Sequence, residues 1–173
     1  MQEQKCRYCF AGEKDFRDDF TRDLWNKVNS RSFIPVFEEI KKRMPAGITP
    51  VDSVMSFHEL YDNKDISKNQ IAEGLVALVK SKPAFREYTI YYLLLLLTPN
   101  LKRLGCEYCD GLIPVYDPFD EACHAAYRII SKSKFKKDDL VLVSIIRRVR
   151  GALNRLTKRE FYKRELPEII TNS

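Results

Sequence analysis

Apolar residues recur every three or four positions along almost the whole chain, the spacing that turns one face of an α-helix toward a core. Phe20, Leu24 and Val28 share such a face. Ser32 stands where it can cap a following helix through Phe33, Phe37, Ile40 and Met44, which Pro45 and Gly47 would end. Pro35 comes early enough in that helix to be tolerated. Thr49 and Pro50 read as the cap and first position of another helix, carrying Val51, Val54, Met55 and His58. Ser67-Lys68-Asn69-Gln70 has the form of a capping box ahead of the stripe Ile71, Leu75, Leu78, Val79.

The second half is more strongly patterned. Pro83 opens a helix that passes through Tyr88, Ile90 and the five leucines Leu93 to Leu97. Apolar on nearly every side, residues 84–97 are expected to form the buried central element. Pro99 predicts a kink, or a break before Leu101 and Leu104, and residues 105–118, with their glycines and prolines, predict a loop. Phe119, Ala122, Cys123, Ala126 and Ile130 then fall within about 100° of helical arc. Leu142, Ile145, Ile146, Val149, Leu153 and Leu156 make the last stripe. No alternating run bounded by turns suggests a strand. The expected fold is all-α, a helical bundle of about six or seven helices. Residues 1–80 would be a helical extension packed on a second unit at 81–166, followed by a fraying tail at 167–173.

Composition narrows the function. Of 173 residues, 45% are hydrophobic, which disfavours disorder. The most apolar run, Ile90 to Leu97, is far short of the roughly 20 residues that span a bilayer. The charged start and the modest use of cysteine predict a cytoplasmic protein with reduced thiols and no membrane contact. Twelve of the 30 Lys and Arg residues fall between Ser131 and Arg164, against three acids. Their positions place Arg147, Arg148, Arg150, Arg155, Lys158 and Arg159, with Asn154, opposite the last apolar stripe. Lys134, Lys136 and Lys137 lie in the segment before it. Such a surface suits the phosphate backbone of DNA. Its plain alternative is a solvated helix face.

Cys6-Arg7-Tyr8-Cys9 and Cys106-Glu107-Tyr108-Cys109 are two Cys-x-x-Cys pairs that together supply the four thiolates of a structural zinc site. Reduced thiols near helix ends are the simpler reading. Cys123 and His124 are adjacent on a helix and point about 100° apart, so they make no nucleophile–base pair. Asp117, Asp120 and Glu121 precede a helix, where they complement its dipole. No phosphate loop or hydrolase motif is present, and an enzyme is not expected.

Residues 94–104 (Leu-Leu-Leu-Leu-Thr-Pro-Asn-Leu-Lys-Arg-Leu), the Asp117-Pro118-Phe119-Asp120-Glu121-Ala122 segment, Ala126-Tyr127-Arg128-Ile129-Ile130 and the basic run before the Arg-rich last helix together resemble region two of bacterial sigma factors. The resemblance spans residues 88–159. It implies that Asp117, Asp120 and Glu121 lie near a contact with RNA polymerase. It likewise implies that Arg147, Arg148, Arg150, Asn154 and Arg155 lie near DNA. Residues 140–146 lack the aromatic cluster of the strand-melting segment, and no helix-turn-helix domain is expected to follow. The expectation is a diverged sigma-like domain that binds DNA or polymerase without melting a promoter. The alternative is a cytosolic protein-interaction module, zinc-stabilised or not, with no nucleic-acid contact.

Overall fold

The computed structural model describes residues 19–43, 68–112, 115–132, 134–136 and 140–171. The helix expected after Thr49 and the cap at Ser67 lie outside them. Among the described residues the fold is an all-α bundle of seven α-helices without strands. They are α1 (Asp19–Val28), α2 (Ile34–Lys42), α3 (Lys68–Ser81), α4 (Arg86–Glu107), α5 (Cys109–Leu112), α6 (Pro118–Lys132) and α7 (Val141–Thr171). Short 3-10 turns, Arg31–Phe33 and Pro83–Phe85, lead into α2 and α4.

The central helix is α4, as the leucine run requires. Residues 92–98 are buried without interruption. A helix apolar on every side needs neighbours on every side, and α1, α3 and α6 pack around it. The helix runs through Pro99 to Glu107, so of the two expectations at Pro99, a kink or a break, the break does not occur. Proline removes one backbone donor, but burial of Leu101 and Leu104 on the far side rewards continuation. The expected loop at 105–118 is correspondingly shorter, because α4 ends later and α5 follows at once.

Gly105 sits where α4 meets the start of α6. A Cβ there would come within 3.0 Å of the Phe119 backbone nitrogen and 3.1 Å of the Pro118 carbonyl carbon. Its role is close helix approach, not chain reversal. Phe20 packs edge-on against Phe119 with ring centroids 5.8 Å apart, which ties α1 to the same junction. Phe33 packs at a tilt against Tyr92 with ring centroids 5.4 Å apart, and Glu39 of α2 is paired with Lys82 at 2.9 Å. Side chains from α1 and α2 thus belong to the same hydrophobic cluster as those of α4, α6 and α7.

Candidate nucleic-acid interface

Helix α7 is fixed in rotation by its buried edge. Val141, Ile145, Val149 and Leu153 are buried at four-residue intervals, flanked by half-buried Leu142, Ile146, Ala152 and Leu156. Its first turn is anchored by α3, where the Asn69 side-chain oxygen accepts the Leu142 N–H at 3.1 Å. Given that rotation, the cations divide three ways at about 100° per residue. Arg147, Asn154 and Lys158 face outward, directly opposite the core, and all are exposed. Arg148, Arg155 and Arg159 lie on the flank toward α6. Arg150 lies on the other flank, toward the end of α4.

Their electrostatic partners differ accordingly. The Arg150 Nη2 donates to both carboxylate oxygens of Glu107, at 3.1 and 3.3 Å. The Arg159 Nε is 3.7 Å from Glu160 Oε1. Glu160 is buried, and it also receives Lys163 at 3.0 Å and the Tyr116 hydroxyl at 3.2 Å. The Lys163 hydrogen bond holds its carboxyl below the usual range, with Tyr116 and Arg159 adding to the effect against the cost of burial. The Arg148 guanidinium lies 4.9 Å from the centre of the Phe135 ring, which Lys80 approaches at 5.1 Å. Among the described residues Arg147, Arg155 and Lys158 have no counter-charge. Lys134 and Lys136 are exposed beside Phe135, and Lys137 lies outside the described residues.

Between α6 and α7 runs a cleft of about 640 Å³. Arg128 of α6 and Arg148, Arg155 and Arg159 of α7 line it, and Glu121 is its one acidic lining residue. Arg128 is the functional candidate that the sequence concealed. It stands outside the basic run, and only its seven-residue spacing from Glu121 places it on the same flank of α6.

The chain matches no protein-family model, no curated protein and no solved structure.

The acids at the start of α6 have distinct surroundings. Asp117 Oδ1 accepts the backbone N–H groups of Phe119 at 3.0 Å and Asp120 at 3.2 Å, so it is the N-cap of that helix. Glu121, one turn on, lines the cleft. Cys106 is half-buried in the last turn of α4 and Cys109 is buried in α5. Cys6 and Cys9, the other half of the candidate zinc site, lie outside the described residues. Cys123 is buried in the core and His124 is exposed, as their positions on α6 require. No described helix is long and apolar enough to cross a membrane.

Proposed function

We propose that this chain binds nucleic acid through α7, as a diverged sigma-like protein that acts in transcription. The observation that carries the reading is the outward strip of Arg147 and Lys158, with Asn154 between them and Arg155 beside them. These cations have no carboxylate partner among the described residues, so their charge is available to an external polyanion. From Arg147 to Lys158 the strip is about 16 Å long, enough to follow several phosphates, and a single convex helix fits a major groove about 12 Å wide. Asn154 can offer its amide to a base edge. Phe161 and Tyr162, exposed farther along the same helix, can stack on unpaired bases.

The polymerase side of the reading rests on the resemblance, with Asp120 and Glu121 as the contact candidates. Asp117 supports that surface by capping α6. Fluorescence anisotropy with a generic labelled duplex tests the nucleic-acid reading. Arg147→Glu, Arg155→Glu and Lys158→Glu combined should weaken binding by about a hundredfold or more at low salt, with helicity unchanged. Equal affinity of the folded triple variant would overturn the reading.

A further inference from the structure

The cleft between α6 and α7 has a different geometry from the outer strip. Cations along one convex face serve an extended polymer, whereas cations on two facing walls converge on a compact ligand. Arg128 comes from one wall and Arg155 from the other, and neither has a counter-charge among the described residues. Arg148 and Arg159 extend the positive wall of α7 in both directions. Along that wall Arg155 and Arg159 are about 6 Å apart in helical rise, and Arg148 lies about 10 Å below Arg155. One phosphate is too short to use all of them, but a chain of phosphates is not.

The floor of the cleft adds a second constraint. Ile129, Ala152 and Leu156 make it apolar. A purely inorganic polyanion would leave that floor uncovered and would meet the Glu121 carboxylate with like charge. A planar base covers apolar surface, and ribose hydroxyls can donate to Glu121. The volume lies within the roughly 300–1,000 Å³ range of small-ligand sites.

We propose that this cleft binds a nucleoside polyphosphate as a free ligand. The phosphates lie between Arg128 and Arg155, the base rests on Ile129, Ala152 and Leu156, and Glu121 accepts from the ribose. This site goes beyond the nucleic-acid reading: it shares Arg155 and Glu121 with the surfaces of that reading, but Arg128 has no part in the outer strip, and Arg147 and Lys158 have none in the cleft.

Calorimetry and thermal unfolding of the full chain in magnesium-free buffer test the proposal, with ATP, GTP, inorganic tripolyphosphate and adenosine as probes. At least one of the two nucleotides should bind and raise Tm. Tripolyphosphate should bind about tenfold more weakly than that nucleotide, and adenosine should give no shift. Arg128→Glu, an exposed substitution, should weaken nucleotide binding by about tenfold or more with helicity unchanged. Should that variant lose helicity, Glu121→Ala gives the second measurement: the wild type should bind ATP more tightly than dATP, the variant should not, and a wild type without that preference would overturn the ribose contact. Three results would each overturn the proposal. They are no response to either nucleotide, tripolyphosphate binding as tightly as the nucleotide, or wild-type affinity in folded Arg128→Glu. Nucleotide binding retained in Arg147→Glu/Lys158→Glu, with duplex binding lost, separates this site from the strip.

Discussion

Arg150 of α7 and Glu107 at the end of α4 are 43 residues apart in sequence and share a forked contact, with one guanidinium nitrogen 3.1 and 3.3 Å from the two carboxylate oxygens. The pair removes Arg150 from the set of cations free to meet a polyanion. Both side chains are more than two-fifths exposed, so the pair adds little stability. Arg150→Ala should change unfolding free energy by less than about 1 kcal/mol and weaken duplex binding less than Arg147→Ala does. Parallel anisotropy titrations of the two variants check the order.

Asp117 holds two backbone donors at the start of α6. Asp117→Ala should destabilise the protein by about 0.5–2 kcal/mol, and Asp117→Asn, which keeps an accepting oxygen, by less. Urea unfolding of the two variants measures the difference. Duplex affinity should remain at the wild-type value, because the Asp117 carboxylate is engaged by the α6 backbone and takes no part in the outer strip of α7.

Gly105 allows α4 to touch the backbone of Pro118 and Phe119. Gly105→Ala gains helix propensity within α4 but forces the start of α6 to shift. Backbone neighbours cannot rotate aside as a side-chain tip would. A net loss of about 1–3 kcal/mol is expected, read as a lower urea midpoint.

Glu39 is hydrogen-bonded by Lys82 and Lys42, and these two ammonium groups pull its carboxyl from 4.5 to about 2 against a smaller effect of burial. The folded value is the lower one, so the contribution is complete above pH 4.5 and disappears as pH falls toward about 2. Over that window the wild type should lose stability more steeply than Glu39→Gln. Parallel slopes in the two acid titrations would show that Glu39 is not linked to folding.

The elements that sequence periodicity exposed are those whose burial is decided locally. The leucines of α4, the Phe119–Ile130 stripe and the Val149–Leu153 edge of α7 all lie where their spacing puts them. Features that depend on a distant partner were hidden. Pro99 and Gly105 are ordinary helix breakers in isolation, yet both remain inside α4 because the surrounding core and the close α6 backbone reward a continuous helix. The candidate site shows the same division. The outward placement of Arg147 and Lys158 follows from the α7 stripe alone. Neutralisation of Arg150 requires knowing that Glu107 is still helical, and the role of Arg128 requires knowing that α6 lies beside α7.

Nucleic-acid binding rests most on the positive strip of α7, which has no carboxylate partner among the described residues. Its most direct test is a salt titration of duplex affinity for the wild type and for Arg147→Glu/Arg155→Glu/Lys158→Glu. The logarithm of the binding constant should fall linearly with the logarithm of salt concentration, by about 0.9 per phosphate contacted, and roughly three such contacts should vanish in the variant. Wild-type affinity that is negligible at low salt, or a salt slope identical in the two proteins, would contradict it.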